Sequence, residues 1–306
     1  MKSKEEFEQY VASKINSTDI NNYKKYNKLT RTFTWICLPL IVASFGLCMS
    51  QQLWIYGYGL FVITFTLFII SRIFDVKRHN ISGAQRDDFI NYALGDYPHT
   101  FDSRAFIAKS IFRQSQFVGR MTSFQYRGSD MLIIPLSSNS KKSTSELTIC
   151  DVDATEQYTD NEGNVHEQTI YHGVFGYIDF PTPFKCTLSI NSSYVGSFKS
   201  EKVSLEDINF NKDFSVKCSD QLEARYILTT DMMLYLSQLR EKMGKIKLVL
   251  DGNRMYIGFP NYNLFNTRSK EKEGLLGDVY GYYQDICTLM EFINTIRSND
   301  KIFTID

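Results

Sequence analysis

The chain has 306 residues, and 34 Lys and Arg balance 34 Asp and Glu, so its formal net charge is zero. That balance excludes the broad basic surface of a nucleic-acid binder, and no nucleic-acid partner is expected. Six cysteines form no C-x-x-C pair, so neither a disulfide framework nor a metal or other cofactor is expected, and the thiols read as reduced and buried.

Residues 3–29 show a loose helical period through Phe7, Tyr10, Val11 and Ile15, interrupted by a break or new N-cap at Ser17-Thr18-Asp19. The apolar face is narrow, which favours a short helix packing on the rest of the protein over one lying on the bilayer. Between Arg31 and Arg72 there is no charged residue and no histidine. Ser50-Gln51-Gln52 divides this stretch into apolar runs at 33–49 and 53–71. A hydrocarbon core of about 30 Å needs roughly 17–25 helical residues to cross it. Both runs meet that length, so a helical hairpin crossing the membrane twice is expected, with a kink at Pro39. A signal peptide is disfavoured because the leader carries Glu5, Glu6 and Glu8 and a second run follows the first.

Lys24, Lys25, Lys28 and Arg31 precede the first run; Arg72, Lys77 and Arg78 follow the second. Lys and Arg are retained on the cytoplasmic side, so both termini and the main domain are expected to be cytoplasmic, at the inner membrane. The lipid bilayer is thus the first expected partner.

Beyond the hairpin, helices are expected at 82–97, ending near Gly95, and at 103–116. The period then becomes alternating. Strands are expected at 131–136, 147–158, 165–180, 184–190 and 214–218, the second and third joined by the turn Asp160-Asn161-Glu162-Gly163-Asn164. Asp220 and Glu223 have capping-box spacing, and Thr229-Thr230-Asp231 re-caps a helix carrying Met232, Leu236, Leu239 and Met243. A second hairpin turns at Asp251-Gly252-Asn253, a charged loop spans 267–274, and an amphipathic helix spans 275–297. The fold class is α+β: a transmembrane helical hairpin, a helical connector, then a mainly antiparallel sheet with covering helices. The expected divisions are 1–31 for a cytoplasmic N-terminal helix, 32–72 for the hairpin, 80–117 for the connector and 118–306 for the cytoplasmic α+β domain.

Residues 209–236, with Tyr171 to Phe180 before them, resemble the bacterial membrane proteins of the family DUF3137. The likeness is carried by Gly173, Phe175, Phe210, Phe214, Val216, Asp220, Glu223, Ala224, Arg225, Tyr226, Leu228, Thr229 and Met233. It implies a membrane-anchored cytoplasmic domain, with no established activity, and a LemA-type membrane protein as one partner.

Within that stretch Glu223, Arg225 and Tyr226 are the candidate binding residues. Residues 223 and 225 lie about 200° apart around a helix and do not share a face. The structural roles open to them are a helix cap for Glu223, a carboxylate or carbonyl partner for Arg225, and core packing for Tyr226. His172 is the fourth candidate. It shares a strand and, at even spacing, a face with His166, but the two stand about 20 Å apart, too far for one metal. A nucleophile pair would require Cys186 or Cys218 near His172 across the sheet. No catalytic motif is present. The sequence points to a membrane-anchored binding or scaffolding module with a protein partner or a second copy. The alternative is a membrane-associated hydrolase or transferase acting on a lipid or envelope precursor through Asp213, Asp220 or Glu223.

Overall fold

The computed structural model describes residues 1–49, 53–83, 85–119, 123–137, 144–160, 162–192, 201–265 and 274–298. The polar turn at 50–52, most of the loop between Leu136 and Leu147, and nearly all of the charged loop at 267–274 lie outside them. The chain forms two units: one of Met1, Leu94–Phe265 and Gln284–Asp306, the other of Lys2–Ala93 and Asn266–Tyr283.

The second unit begins with α1 (Lys4–Lys14), opened by a capping box in which Ser3 and Glu6 satisfy each other's backbone amides. Phe7 and Val11 are fully buried; the Phe7 ring stacks on Tyr283 at 4.9 Å, and Tyr10 stacks on Tyr92 at 3.7 Å. The break falls at Ile15 and Asn16, after which α2 (Ser17–Cys48) runs without interruption through Pro39. α3 (Trp54–Gly83) returns antiparallel to it, and α4 (Arg86–Leu94) follows. The helix expected at 82–97 is therefore shorter, because α3 continues past Arg72 as far as Gly83 and takes its first residues.

The seam between α2 and α3 is built from small and weakly polar side chains. Cys37, Ser44, Thr64 and Ser71 are buried there, and a Cβ at Gly57 would lie 2.6 Å from the Cys48 amide nitrogen. The Thr34 and Ser71 hydroxyls meet at 3.4 Å. Outside the seam the pattern inverts: Trp35, Leu38, Val42, Phe45, Ile55 and Phe65 are all exposed. A water-soluble helix pair would bury those large side chains; a pair that packs through small residues and faces hydrocarbon would not. Both helices are long and apolar enough to cross a membrane.

The first unit is an antiparallel sheet. Its strands are β1 (Thr100–Asp102), β2 (Gln125–Ser137), β3 (Thr144–Thr159), β4 (Val165–Asp179), β5 (Leu188–Asn191), β6 (Glu201–Lys202), β7 (Ser215–Cys218), β8 (Lys247–Asp251) and β9 (Arg254–Pro260). They are ordered β1-β2-β3-β4-β9-β8-β5-β7-β6. Between them lie α5 (Lys109–Gln114), α6 (Ile208–Asp213), α7 (Gln221–Ile227) and α8 (Thr230–Met243); α9 (Gly274–Ser298) follows β9. The α+β architecture expected from the alternating periods is the one found.

The helix expected at 103–116 shrinks to α5, because Thr100–Asp102 pairs with β2 as an edge strand and the chain enters α5 extended. The strand expected at 184–190 begins only at Leu188. One sheet face carries Cys150, Val152, Ala154, Tyr171 and Phe175 under Phe112, Phe117 and Phe124. The other face presents Leu147, Ile149, Ile178, Leu248 and Leu250, all buried. α8 and α9 lie side by side: Tyr235 stacks on Phe292, and Lys242 pairs with Glu291 at 2.5 Å.

Candidate functional site

The stretch 209–236 folds as a series of capped helices. Asp207 caps α6 by accepting from the amides of Asn209 and Phe210; Asp220 caps α7 through those of Leu222 and Glu223; Thr229 caps α8 through that of Met232. α6 and α7 are short and hold few internal hydrogen bonds, and each cap satisfies amides that have no partner within the helix. Phe210 stacks on Phe214 at 4.4 Å, and Asp213 pairs with Arg240 at 2.9 Å. Ala224, Ile227 and Leu228 are buried.

Against that scaffold the four candidates separate. The α7 cap belongs to the Asp220 carboxylate; Glu223 takes part through its amide, so the cap assigned to its side chain is corrected. The Arg225 guanidinium donates to the Ser204 carbonyl at 3.3 Å, one of the two partners expected for it. Tyr226 is 46% exposed, and the core role read for it is corrected. It stands one turn beyond Leu222, itself 76% exposed, so α7 turns an apolar pair outward while Ala224 and Ile227 point in.

His172 bonds the Asp153 carboxylate opposite it on β3. It is not brought near α7: from β4 the sheet steps through β9, β8 and β5 before β7, about 19 Å at the usual strand spacing. The same interval separates His172 from Cys218, so that nucleophile pair is not assembled. Nor do His172 and His166 share a face. A bulge at Ile170, where Ala154 pairs with Tyr171 and Thr155 with Thr169, adds one residue to β4 and reverses the parity between them. Among the described residues, no group of three or more His, Cys, Asp or Glu is placed to hold a metal ion.

The bulge marks a more distinctive feature. β2 pairs with β3 as far as Thr155, and β9 pairs with β4 only from Gly173 onward. Beyond those points β3 and β4 continue as a two-stranded ribbon, from Thr155 paired with Thr169 to Thr159 paired with Val165. Residues 165–169 are all exposed, as are Gln157, Tyr158 and Thr159, so both faces meet solvent. Among the described residues, no further strand pairs with either outer edge.

At the ribbon tip the described residues bond one another. Asp160 accepts from the Glu162 and Asn164 amides, each at 2.9 Å, and its other oxygen meets His166 Nε2 at 2.7 Å. The His166 contact first, then those amides, hold the Asp160 carboxyl down at about 2. Tyr158 stacks on His166 across the strands at 5.4 Å. Glu156, Asp160, Glu162 and Glu167 make the ribbon acidic, and no Lys or Arg occurs between Lys142 and Lys185. Hairpin periodicity alone did not reveal this element as a free arm; the Lys/Arg gap and the run of polar residues on both strand faces were the available signals.

Residues 169–297 match the model of the family described as protein of unknown function (DUF3137), in agreement with the resemblance carried by the stretch 209–236. No curated protein matches the chain significantly. A solved structure, that of the mycobacterial trehalose monomycolate transport factor A (TtfA), is similar at 10% identity with a TM-score of 0.34, covering 68% of this chain and 95% of that one. A likeness that weak carries no argument about activity.

Proposed function

We propose that this chain, matched over residues 169–297 to DUF3137, is a membrane-anchored binding module. It crosses the bilayer twice through α2 and α3 and holds its sheet domain on the cytoplasmic side. The β3–β4 ribbon receives a basic, extended segment of a partner protein. The carrying observation is that ribbon: two strands that no other described strand flanks on either outer edge, with carboxylates and no Lys or Arg. An open edge offers backbone hydrogen bonds to an added strand, and the acidic side chains select the charge of the strand that arrives. The cytoplasmic placement is supported by Lys24, Lys25, Lys28 and Arg31 before one span and Arg72, Lys77 and Arg78 after the other. The enzymatic alternative would draw on Asp213, which pairs with Arg240, on Asp220, which caps α7, or on Glu223.

The test is a photo-crosslinking residue placed at Tyr158 or Val165 of the full-length protein in its native membrane, with a control at exposed Leu234. A discrete adduct at the ribbon positions, weakened by high salt and missing at Leu234, is expected. Adducts equal at all three positions, or none, would overturn the reading.

A further inference from the structure

Two cysteines that the binding function does not use lie against each other. Cys186 Sγ and Cys218 Sγ are 2.7 Å apart, far inside an ordinary contact between thiols and close to the ~2.05 Å of a disulfide. Cys218 ends β7, where it pairs with Leu188 of β5; Cys186 stands two residues before Leu188, so the two are diagonal neighbours on adjacent chain segments. Cys218 is held by the β5–β7 ladder, and Cys186 lies in the bend that leads into β5. Cys218 is fully buried and Cys186 is 8% exposed. Among the other cysteines, Cys150 is buried on the opposite face of the sheet with its sulfur receiving the Ile107 amide.

We propose that Cys186 and Cys218 form a redox-active dithiol that closes to a disulfide by exchange with a low-molecular-weight disulfide. Cys186, the less buried residue of the two, loses its proton and attacks the oxidant disulfide through its sulfur, releasing one small thiol and leaving a mixed disulfide. Cys218 then loses its proton and displaces the second small thiol, forming the Sγ–Sγ bond. Two S–H bonds break, one S–S bond forms within the protein, and the oxidant disulfide is reduced to two thiols. In the folded protein the first step is slow. Burial, and then the neighbouring Cys218, push the Cys186 thiol up to about 12, so little thiolate is present at neutral pH. Closure ties the segment before β5 to the end of β7, two residues ahead of the Asp220 cap, and so fixes the entry to α7.

The test uses the full-length protein in detergent micelles, incubated folded with oxidised glutathione, quenched with acid, then denatured and alkylated. Peptide mass spectrometry should find a Cys186–Cys218 cross-link that dithiothreitol reverses, with alkylation of both cysteines reduced about tenfold and that of Cys150 unchanged. Because this is read on the wild-type chain, no variant has to fold. Single C186S and C218S variants should each abolish the cross-link, the C186S chain leaving Cys218 unglutathionylated and the C218S chain trapping glutathione on Cys186. Unchanged alkylation of both cysteines, a cross-link to Cys150 or Cys287 instead, or glutathione held on Cys218 first would overturn the proposal.

Discussion

At the scale of single residues, Gly173 is the position where the fold tolerates least. Its φ is +141°, and a Cβ there would stand 2.3 Å from the Phe259 carbonyl oxygen and 3.0 Å from the Asn261 amide nitrogen. Those are backbone atoms of the neighbouring strand and the turn after it, so they yield only if the β4–β9 pairing shifts. Gly173→Ala is expected to lower stability by about 2–3 kcal/mol, measured by chemical denaturation of the detergent-solubilised protein. Asp220→Ala removes a cap from a short helix and should cost about 1 kcal/mol in the same assay. Asp160 gives a pH dependence with a definite sign. Its folded-state value lies near 2, below the ~3.9 of an unfolded aspartate, so its contribution is complete above about pH 4 and is lost as the pH falls through 2. Amide exchange at Glu162 and Asn164 should accelerate across that window, and Asp160→Asn should show the fast exchange already at neutral pH.

At the scale of elements, the ribbon and the sheet separate cleanly. Thr155 and Thr169 face each other in register, so residues 156–168 can be replaced by an Asn-Gly turn that closes the hairpin at that pair. The described residues among those excised supply no buried side chain, and the shortened protein should keep its melting temperature to within about 2 °C, read by thermal denaturation in detergent. The same elements show what was legible beforehand. The turns at Asp160-Asn161-Glu162-Gly163-Asn164 and Asp251-Gly252-Asn253 were readable because they join alternating runs across turn-forming residues, and α9 because its apolar positions recur at helical spacing. β1 was not: three residues make no period, and their strand identity comes only from the pairing of Thr100 with Ile133. Tyr226 was misplaced for a related reason. In the seven-residue α7, the neighbours that decide which face is inward belong to other elements. The bulge at Ile170 is equally silent in sequence, yet it decides which face His166 occupies.

At the scale of the whole molecule, the inverted pattern of α2 and α3 predicts firm membrane residence. The protein should remain in the pellet after alkaline carbonate washing and require detergent for release. Replacing Gly57 with Leu would force the two helices apart at Cys48, and the variant should lose helix-hairpin integrity, read as faster proteolysis within the spans in micelles. The spans were the most legible feature of the chain, since forbidding charge between Arg31 and Arg72 is a composition rule that needs no tertiary information. Their packing seam was less so. Cys37, Ser44, Thr64 and Ser71 stand out only once the two helices are laid side by side.

α2 is longer than the bilayer requires: 32 residues at 1.5 Å each make a rod of about 48 Å, against a hydrocarbon slab of about 30 Å. The surplus lies on the side where Lys24, Lys25, Lys28 and Arg31 climb the same rigid cylinder, spread over about 10 Å of its axis. Arg78 on α3 donates to Asn27 at 3.0 Å and ties this end of α2 to its neighbour. In the proposed topology such a graduated row of cations would act as a depth gauge: thickening the lipid would draw Arg31 towards the acyl boundary first, whereas thinning it would lift the whole row into water.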